Sequence, residues 1–304
     1  MDLGIWLNFL SPGGPCFDPA TLPIPGSPVS LSMIEGLVET QVRGPKAVRV
    51  LEIGCFCGIS TVAWGRSLER VGIWDYTIYC VDLWHHAGDA RYGPETVEIV
   101  RMRNVFNHEI FKFNIGKSIG HAHVTEVIGD SRVSLQGLRD GFFDVVYVDG
   151  HHGYDFVVHD LTNAFRVCKP GGIICGDDYD CSPAMMKAIP DEARSWDEYA
   201  MPPSNVGVHP GVALAVDELL GVPRPYGSFW AFSKIADRAA PPFLASVFPL
   251  DVSSFPRRIP DFIPAHIRPR FQDHFAGPGG FLPGHPMMAE AAPRPGGTGK
   301  VATG

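Results

Sequence analysis

Six carboxylates close or directly follow short apolar runs: Glu52, Asp82, Asp130, Asp149, Asp177 and Asp178. Acids kept only for solubility would scatter over helix surfaces. Acids gathered at strand ends line the rim where open α/β sheets bind ligands. A carboxylate in the place of Asp82 can accept both hydroxyls of a ribose. Asp130, followed by Ser131, can take the exocyclic amine of an adenine or cap the helix that follows it. Glu52-Ile53-Gly54-Cys55-Phe56-Cys57-Gly58 reads E-x-G-x-x-x-G between a strand and a helix. Its glycines let a turn pass close to a ligand, and the helix N-terminus behind them favours a carboxylate. The spacing matches neither the G-x-G-x-x-G dinucleotide fingerprint nor a P-loop.

These acids need a parallel sheet to bring them together, and the apolar pattern supplies one. The pattern predicts strands over Val48–Ile53, Tyr76–Val81, His123–Ile128, Phe143–Val148 and Ile173–Cys175, with a last one over Phe229–Ser233. Helices are expected over Ile59–Arg70, Pro94–Phe113, Tyr154–Val167 and Val212–Leu220, with a first one opened by the capping box Ser32-Met33-Ile34-Glu35. Continuous apolar strands alternating with helices imply a doubly wound, mainly parallel, Rossmann-like α/β sheet with helices on both faces. The expected organisation is an arm over 1–30, a single domain over 31–236, a Pro/Phe-rich extension over 237–275, and a disordered tail over 276–304.

Composition narrows the partners. The chain has 304 residues, is 45% hydrophobic, and carries 25 basic against 33 acidic residues, a formal charge of −8. An acidic chain gains no general attraction to phosphate backbones or anionic membranes, so neither nucleic acid nor a membrane is expected as partner. No leader and no run of about 18 apolar residues is evident. Seven scattered cysteines, mostly inside apolar runs, read as reduced thiols of a cytoplasmic protein. Cys55-Phe56-Cys57 lacks the second ligand pair of a zinc site.

Glu52-x-Gly54-x-x-x-Gly58, Asp82 and Asp130-Ser131 resemble the nucleoside-binding motifs of class I S-adenosylmethionine-dependent methyltransferases. The stretch Val148-Asp149-Gly150-His151-His152-Gly153-Tyr154, then Asp160-Leu161, Lys169-Pro170-Gly171-Gly172 and Gly176-Asp177-Asp178-Tyr179, is similar to one branch of that class. This branch holds macrocin-type sugar O-methyltransferases and cephalosporin-hydroxylase-like proteins. The resemblance spans about residues 45–235 and implies S-adenosylmethionine as cofactor. Gly54 and Gly58 would line its methionine part, Glu52 would meet its ammonium, Asp82 its ribose, and Asp130 with Ser131 its adenine.

The resemblance also places a divalent cation at Asp149, Asp177 and Asp178. Hard oxygen donors in such a set suit Mg²⁺ or Mn²⁺. A cation there would orient a small-molecule hydroxyl acceptor, a sugar or natural product, and ease its deprotonation. Either His152 or the carboxylate of Asp149 would then serve as general base, with a weaker claim for His151. Trp84 stacks on adenine or packs in the core; Tyr154 and Tyr179 close the pocket or pack. His85 and His86 are weak candidates for metal ligands. The insertion 88–120 is expected to shape the acceptor pocket or a subunit contact, and the arm and extension are the candidate surfaces for a homo-oligomer. Two alternatives stand beside this reading. One is a metal-dependent hydroxylase drawing on His151, His152 and His159. The other is a non-catalytic partner protein that keeps the cofactor fold.

Overall fold

The computed structural model describes residues 27–42, 47–84, 94–203, 206–238 and 240–263, with 14, 15, 44 and 268 besides. The tail 276–304, most of the arm, and His85 and His86 lie outside the described residues, so the expectations placed on them do too.

The chain alternates β1 (Ala47–Ile53), α2 (Ile59–Arg70), β2 (Asp75–Asp82), α3 (Pro94–Ser118) and β3 (Val124–Ile128), preceded by α1 (Pro28–Gln41). It continues through α4 (Ser131–Ser134), β4 (Phe143–Val148), α5 (Tyr154–Val167), β5 (Cys168–Gly176) and α6 (Pro183–Met186). A small hairpin, β6 (Tyr199–Met201) and β7 (Val206–Val208), leads into α7 (Pro210–Leu219), β8 (Trp230–Lys234) and β9 (Val247–Pro249). The main sheet has seven strands in the order β3-β2-β1-β4-β5-β8-β9. β1 to β5 run parallel, while β8 is antiparallel to β5 and β9 antiparallel to β8. The expected Rossmann-like architecture is therefore the observed one.

Chain order reverses between β1 and β4, and that reversal opens a crevice at the strands' carboxyl ends. The core lies on both faces of the sheet. Val48, Val50, Trp64, Ile78 and Phe111 pack on one side, and Leu51, Val146, Leu161, Ile174 and Val216 on the other. The six cysteines described are buried and free. No described helix is long and apolar enough to cross a membrane.

The capping box at Ser32 does not begin a helix. α1 starts a turn earlier, at Pro28, with the Ser27 side chain accepting from the Ser30 amide. Glu35 is instead buried, paired with Arg70 at 2.7 Å and Arg258 at 3.0 Å. Gly36 meets the extension directly, since a Cβ there would sit 2.6 Å from Phe255 Cβ.

The extension is built into the domain. β9 adds a further strand beyond β8, which the sequence reading took as the last. Phe243 stacks on Phe165 with ring centroids 3.9 Å apart. Val252, Phe255 and Ile263 join the core beneath α1. Burying side chains of this kind stabilises by roughly 1.5–3 kcal/mol each.

Candidate functional site

The crevice between β1 and β4 holds a cavity of about 770 Å³, lined by residues from the ends of β1, β2, β3, β4 and β5 and by Ser27, Ser30 and Leu31 of the α1 region. Its shape starts with Gly54. This residue has φ +84°, and a Cβ on it would lie 1.9 Å from the Asp149 carbonyl oxygen. Only glycine lets β1 and β4 close at this point. Gly58, with φ +85°, packs its α-carbon side against Phe111 and begins α2 without a side-chain cap.

Asp82 holds this loop in place. Its Oδ2 accepts from the amides of Cys55 and Phe56, each at 2.8 Å, and its Oδ1 accepts from the Trp84 amide at 3.2 Å. The carboxylate expected to meet a ribose thus also shapes the glycine turn, at the cavity edge. Leu83 beside it is 39% exposed and lines the same cavity, an apolar platform that the sequence reading passed over.

Glu52 lies deeper than expected. It is fully buried under the first turn of α2, accepting from Ser60 and, at 2.6 Å, from Thr61. Burial pushes its carboxyl up to about 8, so it is largely neutral at pH 7. Ser60, not Glu52, faces the cavity. Glu52 thus stands behind Ser60, which lies between it and the cavity.

Asp130 caps α4 through the Arg132 amide at 2.9 Å. Both its oxygens also pair with the Arg132 guanidinium, at 3.0 and 2.6 Å, which holds the acid below the usual carboxylate range. The helix cap and ion pair occupy acceptor positions of the carboxylate that was expected to meet an adenine amine, and Asp130 and Ser131 both line the cavity. The Arg132 guanidinium lies 4.2 Å over the Phe156 ring, and His151 stacks on that ring with centroids 4.1 Å apart. Together they form an aromatic wall.

Trp84 packs in the core. It is 1% exposed, donates to the Phe56 carbonyl at 2.8 Å and stacks on His108. Tyr154 and Tyr179 point to α7, where they donate to Glu218 at 2.5 Å and Asp217 at 2.8 Å.

The three expected metal-binding acids do not form one convergent set. Asp177 Oδ1 accepts from Ser228 at 2.5 Å and from the Asp178 amide at 2.9 Å. Burial, with Asp178 and Asp149 nearby, raises Asp177 to about 7. Asp149, also raised by burial, accepts from Tyr147 at 3.2 Å. Asp178 has φ +61° and lies 2.9 Å from His152 Nε2; that contact overrides burial and holds it below the usual range. The described groups whose donor atoms fall within 4.8 Å of one another are His152, Asp178 and His209, and Glu52, Cys55 and Cys80.

His152 sits among carboxylates. Its Nδ1 is 3.0 Å from Asp197 and its Nε2 is 4.0 Å from Asp149. Burial opposes the proton, but Asp149, Asp178 and Asp197 raise His152 well above an ordinary histidine. These carboxylates therefore favour the protonated ring. Of the other histidines in the hydroxylase alternative, His151 stacks on Phe156 and His159 reaches Asp160 and Asn163 on α5.

Asp197 and His209 were not singled out in the sequence. Both come from the segment after β5 and lie 45 and 57 positions beyond His152 in the sequence. Gly211 explains how α7 comes so close, since a Cβ there would be 2.3 Å from the His152 carbonyl. The one available signal for His209 was its place just before Pro210, where a helix begins.

Comparison with known proteins adds to this picture. Residues 51–179 match the family described as a methyltransferase domain. No curated protein sequence matches the chain. Among solved structures, a cofactor-bound Rv0187 from MTB is 21% identical over 64% of this chain and 79% of that one, with a TM-score of 0.41. An O-methyltransferase from Bacillus cereus in complex with SAH is 19% identical over 64% and 73%, with a TM-score of 0.40. The O-methyltransferase NovP is 20% identical over 54% and 70%, also with a TM-score of 0.40.

Proposed function

We propose that this chain is an S-adenosylmethionine-dependent methyltransferase that methylates a hydroxyl of a small molecule with help from a divalent cation. The observation that carries the reading is the acid-lined cavity at the reversal between β1 and β4, entered by the Gly54 turn, within a segment similar to a methyltransferase domain. A donor with a sulfonium and an ammonium group against one carboxylate carries net positive charge. It suits a cavity lined by Asp82, Asp130, Asp149, Asp177, Asp178 and Asp197.

When bound, the donor supplies an activated methyl group on sulfur. This chain's own residues do the rest. The Gly54 turn, held by Asp82, gives the donor close backbone approach. Asp82 and Leu83 flank the ribose and base, and Ser60 meets the amino acid end in place of the buried Glu52. The His151–Phe156–Arg132 wall packs the acceptor. The hydroxyl proton passes to His152 or to the carboxylate of Asp149, both of which line the cavity. Asp149, Asp177 and Asp178 line the cavity together and are the oxygen donors that would hold a divalent cation there.

About 770 Å³ is within the 300–1,000 Å³ of small-ligand sites and holds the donor with room for a small acceptor. A sugar or natural-product hydroxyl, as the macrocin-type resemblance implies, fits that space. Titration calorimetry of the full chain with S-adenosylhomocysteine tests the reading. Binding at micromolar levels, weakened tenfold or more by Asp82→Ala, is expected; no binding at millimolar ligand overturns it in favour of a non-catalytic partner role.

A further inference from the structure

We infer that Trp84 and Asn114 are positioning residues for the methyl donor: each holds one carbonyl of the turn 54–58 and so fixes the surface on which the donor lies. The inference rests on the donor part of the reading above. It adds two residues that are not among those lining the cavity.

The first observation is a strained backbone. Phe56 has φ +46°, between Gly54 at +84° and Gly58 at +85°. Glycine is at ease in this left-handed region, but a bulky aromatic residue rarely enters it. Such strain persists only where the surroundings over-determine it, and it gathers at functional sites. Phe56 itself lines the cavity.

The surroundings do over-determine this turn. Asp82 Oδ2 accepts from the amides of Cys55 and Phe56, and the Gly58 amide donates to the Cys55 carbonyl at 2.7 Å. The next two carbonyls are held by side chains. Trp84 Nε1 donates to that of Phe56 at 2.8 Å, and Asn114 Nδ2 donates to that of Cys57 at 2.8 Å. In a planar trans peptide the carbonyl and the following amide turn together. Two side chains therefore set the tilt of two consecutive peptide planes.

Both donors are themselves locked. The Trp84 ring lies 4.5 Å from His108, stacked at 17°, and 4.5 Å from Phe111. His108 Nε2 is 2.6 Å from Glu126 on β3, and Phe111 packs against Gly58, where a Cβ would lie 2.9 Å from its ring. Asn114 follows on α3 and is fully buried. A tryptophan that only packs needs some acceptor for its N–H. The acceptor here is the carbonyl of the one residue of the turn that is left-handed without being glycine. The donor then meets a turn already in shape, and binding needs no reordering of it.

Titration calorimetry of the full chain with S-adenosylhomocysteine tests this, at a temperature where each variant is folded by circular dichroism. Trp84→Phe keeps an aromatic ring and removes the N–H. Asn114→Leu nearly keeps the volume and removes the amide. Each leaves a buried carbonyl without its donor and is expected to weaken binding about tenfold. Phe243→Ala, in the core on the other face of the sheet, should lower the melting temperature yet bind within about twofold of the native chain. Native affinity in folded Trp84→Phe overturns the inference; if that variant does not fold, native affinity in Asn114→Leu does so. An equal loss in Phe243→Ala also overturns it, since lost stability alone would then explain the effect. Absence of binding by the native chain removes the methyltransferase reading itself, whereas a native chain that binds beside unchanged variants removes only this inference.

Discussion

Replacing Glu52 with glutamine should make the protein's stability less dependent on pH, and the structure gives the size and sign of the effect. Glu52 is fully buried and burial raises its carboxyl from 4.5 to about 8. The folded state therefore holds a proton that the unfolded chain has released anywhere between these values. Stability falls wherever the folded state binds more protons, so this contribution is fully present below pH 4.5 and lost as pH rises through 8. At 1.36 kcal/mol per unit, a shift of this size is worth about 3–5 kcal/mol, a large share of the 5–15 kcal/mol typical of a domain. Glutamine keeps the shape and cannot ionise, and Ser60 and Thr61 can turn to accept from its amide. Urea unfolding at pH 5 and pH 9 checks this. The two proteins should agree within about 1 kcal/mol at pH 5, and the variant should be more stable by roughly 3 kcal/mol at pH 9. Curves that stay parallel across this range would refute the account of a neutral, buried Glu52.

Gly54→Ala should cost about 3 kcal/mol or more in thermal unfolding, because a Cβ would lie 1.9 Å from a backbone oxygen. Gly72→Ala shares a positive φ, +82°, but meets nothing within 4 Å, so about 1 kcal/mol is expected; equal losses at both would discount the steric argument. Phe255→Ala, which removes the ring packed against Gly36 beneath α1, should cost about 3–5 kcal/mol. A chain ended at Ala236 should lose cooperative unfolding by circular dichroism, since it lacks β9, Phe243 and the Arg258 partner of buried Glu35. A sharp transition in that truncated chain would show that the extension only decorates the domain.

What the sequence made legible was local. β1 to β5 and the helices between them follow from runs of four to eight apolar residues and the turns that end them, and each such signal lies within one segment. The parallel order followed from alternation, and with it the crevice at the carboxyl ends. The start of α1 was misplaced because Ser32 and Glu35 imitate a capping box. Their real partners, the Arg258 amide for Ser32 and Arg70 with Arg258 for Glu35, are remote in the chain. β9 was missed for a related reason. Three residues ending in proline carry no alternation, and only the open edge of β8 makes Val247–Pro249 a strand.

The site divides along the same line. Gly54, Asp82 and Asp149 were readable because each ends its own strand and acts near its own position in the fold. Roles that depend on which side chains meet were not readable. Asp130 turns to Arg132 two residues on, Glu52 to hydroxyls on the next helix, and Asp177 to Ser228 across the chain. The sequence suggested a site of three carboxylates because neighbouring strand ends supplied them. Folding changes that composition by bringing α7 against the His152 loop, a contact that rests on Gly211 having no side chain. His209 and Asp180 then stand beside Asp178, and imidazole nitrogen enters a site that looked all-oxygen. That one close helix approach decides which groups meet here, so Gly211→Ala, whose Cβ would lie 2.3 Å from the His152 carbonyl oxygen, should cost about 3 kcal/mol or more in thermal unfolding, and a loss no larger than the roughly 1 kcal/mol expected of Gly72→Ala would count against it.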